Sequence, residues 1–178
     1  MLIESFPAVI EPDARVLILG SMPGERSLAA GEYYAHPRNR YWPLMQELIG
    51  LDPKAPYSER IKQLTRAGVA LWDVLKHCRR DGSLDDSIVR NSEVTNDIAQ
   101  LLEDHPSVKA VGLNGQKAAK VFRRWVVPDL RVALRERLVS IELPSTSPAN
   151  ATRSLADLLD AWRALMPYLS EARSSGTV

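Results

Sequence analysis

The chain has 178 residues, 45% of them hydrophobic, with 23 lysines and arginines against 22 aspartates and glutamates. This length and apolar content predict a single domain with a full core. The net charge of +1 is no evidence of a nucleic-acid surface, although a local basic face would not show in such a total. Its one cysteine, Cys78, excludes an internal disulfide, a cysteine-rich zinc site and an all-cysteine iron–sulfur cluster, and it fits a reducing cytoplasm.

The start of the chain, MLIESFPAVIEPDARVLILG, has no basic segment and meets acidic residues early, so we expect no signal peptide. No uncharged run is long enough to cross a bilayer, so we expect no membrane partner. The histidines match no metal-binding spacing, and both common glycine-rich nucleotide loops are lacking, so we expect no metal and no cofactor. We predict one domain over residues 1–170 and a disordered tail at 171–178.

In chain order, the predicted elements alternate between short apolar strands and amphipathic helices. The strand ARVLILG comes first, and the helices YWPLMQELIG and SERIKQLTRAG separate it from the strand GVALWDV. The helix TNDIAQLLEDH then leads to the strand VKAVGL, and the helix GQKAAKVFRRW leads to the strand RLVSIELP. The last helix has the clearest apolar stripe, formed by Leu155, Leu158, Leu159, Trp162, Leu165, Met166 and Leu169.

Strands that alternate with helices are typical of a parallel sheet covered on both faces. We therefore predict an α/β fold, a three-layer α/β/α sandwich with a central four-stranded parallel sheet. In such sheets a ligand binds beyond the carboxyl ends of the strands. The residues that directly follow the four strands, and so should meet at that edge, are Ser21 to Gly24, Asp73, Asn114 and Pro144 to Pro148.

One further segment, GEYYAHPRNRYW at residues 31–42, closely follows the first strand and combines aromatic rings with arginines. A nucleobase extruded from DNA needs a flat face to stack on and directional groups along its edge. Tyr34 could provide the face, with Asp73 and Asn114 at the edge. Arg38 and Arg40 could then contact phosphates, as could the amides and hydroxyls of the segment LPSTSPAN.

Structural roles would explain the same residues without a ligand. Tyr41 and Trp42 fit a buried helix start, and Tyr34 fits a packed side chain as well as a stacking one. Asp73 could cap a helix, and Asn114 could shape a turn with the glycine that follows it. LPSTSPAN could be a turn that caps the last helix.

Five segments, in the order LGSMPGERS, YYAHPRNRYW, LWDVL, GLNGQKA and LPSTSPAN, resemble the uracil-DNA glycosylase superfamily, and within it the hypoxanthine-DNA (deoxyinosine) glycosylase branch. The resemblance runs from the first strand to the last helix. It implies a monofunctional DNA N-glycosylase of base-excision repair that hydrolyses the N-glycosidic bond of a deaminated base, hypoxanthine above all. It also implies a cytoplasmic monomer whose partner is DNA containing deaminated bases.

The resemblance also implies roles for individual residues. Met22 stands where many members carry an aspartate or asparagine that activates water, and Asn39, in the segment His-Pro-x-Asn, matches the catalytic amide of the hypoxanthine branch. Tyr34 matches the residue that stacks on the base. Asp73 replaces an amide that reads uracil; an ionised aspartate only accepts hydrogen bonds, which suits the N1–H of hypoxanthine.

The residues expected to bind the base are Ser21, Met22, Tyr34, Asp73 and Asn114. LPSTSPAN resembles the superfamily loop that enters the minor groove, with Leu143 in place of a catalytic histidine. The residues expected to bind DNA around the base are Arg38, Arg40, Ser145, Thr146, Ser147, Pro148 and Asn150.

Three other functions stay open at this point. The same scaffold could act on uracil, xanthine or mismatched thymine. It could also bind damaged bases without cutting, because Met22 and Leu143 lack the familiar catalytic groups. Hydrolysis of free nucleosides has less support, since loops rich in proline and serine suit a polymer backbone.

Overall fold

The computed structural model describes residues 1–169, so the predicted tail at 171–178 lies outside the described residues. The strands are β1 Leu2–Glu4, β2 Val16–Gly20, β3 Val69–Asp73, β4 Leu75–Arg79, β5 Val94–Thr95, β6 Ala110–Asn114 and β7 Val139–Leu143. The helices are α1 Glu25–Ala30, α2 Tyr41–Ile49, α3 Tyr57–Arg66, α4 Ile98–Asp104, α5 Gln116–Val121, α6 Val132–Arg137, α7 Leu155–Trp162 and α8 Met166–Leu169. In these residues no helix has the length and apolar content needed to span a bilayer.

Four of the strands form a parallel sheet in the order β3-β2-β6-β7, and they are the four that the sequence predicts. Gly20 at the end of β2 lies opposite Asp73 at the end of β3. Asn114 at the end of β6 lies opposite Leu143 at the end of β7. The register therefore brings the four carboxyl ends to one edge, as predicted.

Alternate residues of the central strand β2 point to opposite faces of the sheet and bury two separate cores. Leu17 and Leu19 pack in a core with residues of α4, α5 and α6. Val16 and Ile18 pack in a second core with residues of α2, α3 and α7. The predicted three-layer α/β/α architecture is thus confirmed, with helices on both faces of the sheet.

A small antiparallel sheet, in the order β1-β4-β5, was not predicted from the sequence. A single residue, Val74, separates its strand β4 from β3. Strand β4 carries the buried thiol of Cys78. Between β4 and β5 the chain makes a 3₁₀ turn, Asp85–Ser87. This excursion brings acidic side chains back to the carboxyl edge of the parallel sheet.

The last predicted helix is divided in the structure. A 3₁₀ turn, Arg163–Leu165, separates α7 from α8, and Pro167 follows in the first turn of α8. A proline has no backbone N–H and crowds the carbonyl four residues before it, which here belongs to Arg163. The predicted apolar stripe still packs inward, with Leu158, Trp162 and Leu165 buried.

Candidate active site

A cleft of about 1020 Å³ opens at the carboxyl edge of the parallel sheet. Every residue expected from the sequence to bind base or DNA lines it except Arg40. The residues that do so are Ser21, Met22, Tyr34, Arg38, Asn39, Asp73, Asn114, Ser145, Thr146, Ser147, Pro148 and Asn150. The fold therefore brings together residues from all the loops that follow the four parallel strands.

Asn39 lies two residues before the first residue of α2, in the turn that leads into the helix. Its side-chain oxygen Oδ1 accepts a hydrogen bond from the backbone N–H of Tyr41 over 2.9 Å. An asparagine side chain that accepts from the backbone N–H two residues further on forms an Asx turn. This bond fixes the carboxamide at the cleft wall, and the oxygen keeps a second lone pair for another donor.

Tyr34 is held in an unusual backbone conformation, with φ of 56°. A left-handed backbone at a bulky residue is disfavoured and persists only where the surroundings enforce it. Here the Tyr34 ring stacks on the buried ring of Tyr41, with centroids 4.0 Å apart and planes 20° apart. Its hydroxyl accepts from Nδ2 of Asn114 over 3.2 Å, so both the ring and its tip are fixed.

Asn114 links three parts of the cleft. Its Nδ2 donates to the Tyr34 hydroxyl and, over 3.0 Å, to Oγ1 of Thr146, while its Oδ1 accepts from the Thr146 N–H, also over 3.0 Å. Gly115 follows with φ of 98°, and a Cβ there would lie 3.1 Å from Cβ of Ser145. Both amide hydrogens of Asn114 are thus engaged in positioning Tyr34 and the 144–150 loop.

Asp73 is 4% exposed, and its Oδ2 has no hydrogen-bond partner among the described residues. Its Oδ1 lies where Gly20 leaves room, since a Cβ on Gly20 would be 2.5 Å away. Burial, and then the negative charge of Asp85, raise the pKa of Asp73 to about 7, against an opposing effect of Arg80. A carboxyl in this setting is readily protonated, and it then gains a proton to donate.

Asp85 is a cleft residue that the sequence analysis missed. The Ser21 hydroxyl donates to its Oδ1 over 2.7 Å. Burial raises the pKa of Asp85, while the bond from Ser21 and the positive charges of Arg80 and Lys117 oppose that rise. In the sequence DGSLDDS nothing separates Asp85 from the acidic residues around it, so no local signal could have identified it.

Arg80 is a charged residue that the structure buries to 2% exposure. Its Nε donates to the Gly82 carbonyl over 2.9 Å and its Nη2 donates to the Pro23 carbonyl over 2.5 Å. The third nitrogen, Nη1, has no partner among the described residues. The buried guanidinium joins the turn after β2 to the turn after β4 and places a positive charge near the two carboxyls.

Arg40 lies behind the 144–150 loop instead of in the cleft. Its Nη2 donates to the carbonyls of Ser147 and Asn150 over 3.0 and 2.8 Å, and its Nη1 donates to the carbonyl of Arg153. Thr146 is fully buried and bonded to Asn114. These contacts give Arg40 and Thr146 a supporting role in the loop, and their direct contact with DNA stays a prediction.

The rim of the cleft carries exposed cations although the whole chain is nearly neutral. Arg26, Arg38 and Arg153 are exposed and line the cleft. Lys117 also lines it, but its ammonium pairs with Glu93. Two apolar residues, Met22 and Leu143, are buried in the lining.

Comparison with known proteins adds three findings. A family model described as the uracil DNA glycosylase superfamily matches residues 7–166. A protein of Methanosarcina barkeri named hypoxanthine DNA glycosylase is 35% identical over 160 residues, which cover 89% of this chain and 94% of that protein. A protein of Methanosarcina acetivorans with the same name is 36% identical over 151 residues, covering 84% of this chain and 89% of that protein.

A solved structure shares the fold as well. It is a solution NMR structure from Methanosarcina acetivorans, provisionally named a uracil DNA glycosylase, and it superposes with a TM-score of 0.78. The identity is 30%, and the match covers 96% of this chain and 99% of that one. The similarity therefore extends over essentially the whole described structure.

Proposed function

The chain belongs to the uracil-DNA glycosylase superfamily, and on that basis we propose that it is a monofunctional DNA N-glycosylase that removes hypoxanthine, the product of adenine deamination, from DNA. The observation that carries the proposal is the convergence of Tyr34, Asp73 and Asn39 on one cleft. A stacking face, an edge-binding group and a water-positioning amide are the three functions that excision of an extruded base requires.

The extruded purine is proposed to stack on the face of Tyr34 that is opposite Tyr41. The stack of Tyr34 on Tyr41 has a spacing of 4.0 Å, so a base there would extend an existing column of rings. Stacking of a base on an aromatic side chain contributes about 1–3 kcal/mol. Because Tyr34 is fixed at its backbone, ring and hydroxyl, little conformational entropy is lost on binding.

Asp73 is proposed to bind the edge of the base in its neutral form. The unpartnered Oδ2 and the nearby charge of Asp85 both favour protonation. A neutral carboxyl can donate a hydrogen bond to the carbonyl oxygen O6 of hypoxanthine, where negative charge accumulates as the base departs. The ionised acceptor inferred from the sequence assumed an ordinary pKa for Asp73, which burial beside Asp85 changes.

Asn39 is proposed to position the attacking water. The bond between C1′ of the sugar and N9 of the base breaks with its electron pair leaving on the base, and the water oxygen bonds to C1′. The proton that water loses balances the one that the released base gains. Met22 is apolar and cannot bind water, whereas the remaining lone pair of Asn39 Oδ1 can hold a water hydrogen. An amide is a poor base, which suffices when the sugar cation is already well formed.

The DNA strand around the base is proposed to lie along the 144–150 loop and the basic rim. The cleft is lined by Ser145, Ser147, Pro148 and Asn150 of this loop and by Arg38. Phosphates are bound by such hydroxyls, backbone amides and arginines. The pairing of Lys117 with Glu93 supports base release without strand cleavage, since a Schiff base needs an unpaired amine.

We also propose that the protein acts as a monomer on DNA in the cytoplasm. All the elements of the proposed site come from one chain. Light scattering of the purified protein, alone and with a short duplex, should give one protein per particle. A dimer in both samples would contradict this part of the proposal.

The test of function is a panel of duplexes that each contain one altered base: hypoxanthine, uracil, xanthine or thymine opposite guanine. After incubation, alkali breaks the strand wherever a base has been removed. The proposal predicts the fastest breakage with hypoxanthine. Faster breakage with another base would change the substrate, and tight binding of the duplexes without breakage would indicate a non-catalytic damage-binding protein.

A further inference from the structure

Ser21 and Asp85 form a hydrogen-bonded pair on the wall of the cleft, although 64 residues separate them in the sequence. The donor is the Ser21 hydroxyl, 2.7 Å from Oδ1 of Asp85. A hydroxyl has one proton and two lone pairs. With its proton directed to the carboxylate, Ser21 can only accept hydrogen bonds from a molecule in the cleft.

The charges around the pair favour this direction of the bond. Burial raises the pKa of Asp85, and Asp86 acts in the same sense, but the hydrogen bond from Ser21 and the positive charges of Arg80 and Lys117 oppose that rise. The other carboxyl of the cleft, Asp73, has an oxygen without a partner among the described residues. Of two neighbouring carboxyls, the one with hydrogen-bond and cationic partners carries the charge more easily. The cleft therefore presents an acceptor at Ser21 beside a donor at Asp73.

Deamination changes the hydrogen bonding of a base at one ring nitrogen. N1 of adenine is an acceptor, whereas N1 of hypoxanthine carries a hydrogen and donates; N3 of cytosine and of uracil differ in the same way. In the same reaction an amino group becomes a carbonyl oxygen. A site with an acceptor next to a donor therefore matches the deaminated edge and opposes the edges of adenine and cytosine.

We propose that Ser21, oriented by Asp85, accepts the ring N–H that deamination creates, while neutral Asp73 donates to the adjoining carbonyl oxygen. This inference rests on the proposed function and specifies how that site separates deaminated from ordinary bases. Asp85 is a positioning residue, since it acts through Ser21. An ordinary adenine would place its N1 lone pair against the Ser21 oxygen and its amino group against the proton of Asp73.

The test measures single-turnover release of hypoxanthine from a duplex with deoxyinosine opposite thymine. Ser21→Ala and Asp85→Ala should each slow release by about tenfold to a hundredfold, as expected for one misaligned hydrogen bond. In the double variant the loss should barely exceed that of Ser21→Ala alone, because Asp85 acts through Ser21. Asp81→Ala is the matched control: it removes the same charge from an exposed side chain of the same excursion that does not line the cleft, and it should release base like the wild type.

A second readout is the preference in binding for hypoxanthine over adenine, measured with duplexes whose 2′-fluoro sugars resist hydrolysis. Ser21→Ala and Asp85→Ala should both narrow this preference by about tenfold. Asp85→Asn keeps an oxygen that can accept from Ser21, so it should retain much of the preference for hypoxanthine. Thermal unfolding shows whether each variant is folded. If Asp85→Ala is unfolded, Asp85→Asn takes its place in the comparison.

Two results would overturn the inference. One is a loss from Asp85→Ala no larger than that from Asp81→Ala, and the other is full losses that multiply in the double variant. If the wild type releases hypoxanthine, either result removes only this inference. If the wild type releases none, the proposed function is wrong, and the binding preference of Ser21→Ala then decides separately whether Ser21 reads the ring N–H.

Discussion

Asp73 is the most buried carboxyl among the described residues that line the cleft. Its carboxyl is 4% exposed, and burial beside Asp85 raises its pKa to about 7. Arg80 is the one nearby cation that opposes this effect, and the phenols of Tyr33 and Tyr34 stay neutral because burial raises their pKa values. A single side chain thus links the pH of the solution to both the activity and the stability of the protein.

If neutral Asp73 binds the base, single-turnover release should decline as the pH rises through about 7, by about tenfold for each further pH unit. Asp73→Asn keeps a neutral donor, so its release should continue at high pH with a flatter profile. Asp73→Leu, which cannot donate, should be slow at every pH. Release by the wild type that increases steadily from pH 6 to 9 would indicate an ionised acceptor instead.

The same group predicts a dependence of stability on pH. The pKa of Asp73 in the folded state, about 7, exceeds its ordinary value of 3.8, so the folded state holds more protons between these values and loses stability as the pH rises through them. The slope is about 1.4 kcal/mol for each pH unit. Urea unfolding at pH 5 and pH 8 should show that the free energy of unfolding of Asp73→Asn, relative to that of the wild type, is higher at pH 8 than at pH 5. The same difference between variant and wild type at both pH values would contradict this.

At the scale of elements, the 144–150 loop depends on an arginine that does not face the cleft. Arg40 donates to three carbonyls of this loop region, whereas Arg38, two residues earlier, is exposed at the rim. Two neighbouring arginines are therefore proposed to act differently, one by shaping a loop and the other by charge. Sequence alone gave both the same role.

The two arginines provide matched variants. Arg38→Gln should weaken DNA binding and lower the slope of log affinity against log salt by about one unit, because one phosphate contact is lost. Arg40→Gln should remove a donor from three carbonyls of the loop region, so thermal stability and the rate of base release should both fall. The salt slope should change less than in Arg38→Gln. Binding titrations from 50 to 300 mM salt measure this, and equal slopes for the two variants would contradict it.

Elements with strong local patterns could be predicted, and those without could not. The four parallel strands are apolar runs bounded by turn residues, and their shared carboxyl edge identified eleven of the residues that line the cleft. The strands β1 and β5 have three and two residues, too few for a period to show. Asp85 and Arg80 join the site through tertiary contacts, which no local pattern reports.

At the scale of the whole molecule, the fold presents a locally basic rim on a chain of net charge +1. The total charge gave no evidence of a DNA surface, but the exposed arginines Arg26, Arg38 and Arg153 all line one cleft. Of the acidic residues in the lining, Asp73 and Asp85 are less exposed than these arginines, whereas Asp86 and Glu142 are exposed. The exposed arginines suit a ligand whose backbone is anionic.

Extrusion itself depends on how firmly the base is paired. A base that is weakly paired costs less to extrude, so its excision should be faster. Deoxyinosine pairs less stably with thymine than with cytosine, so release of hypoxanthine should be faster opposite thymine. Release should be fastest from single-stranded DNA, provided that the protein binds it. Single-turnover rates on the three substrates measure this, and faster release opposite cytosine would show that the opposite base is itself recognised.

The account as a whole depends on Asn39, whose side chain both forms the turn that leads into α2 and is proposed to position water. Asn39→Ser keeps a side-chain oxygen that can accept from the Tyr41 N–H but lacks the carboxamide, so it separates the two roles. The decisive measurement compares its single-turnover release of hypoxanthine with its affinity for a non-hydrolysable deoxyinosine duplex. We expect release to fall at least about a hundredfold while affinity and thermal stability stay near those of the wild type. Release at close to the wild-type rate would contradict the assignment of the reaction to this cleft.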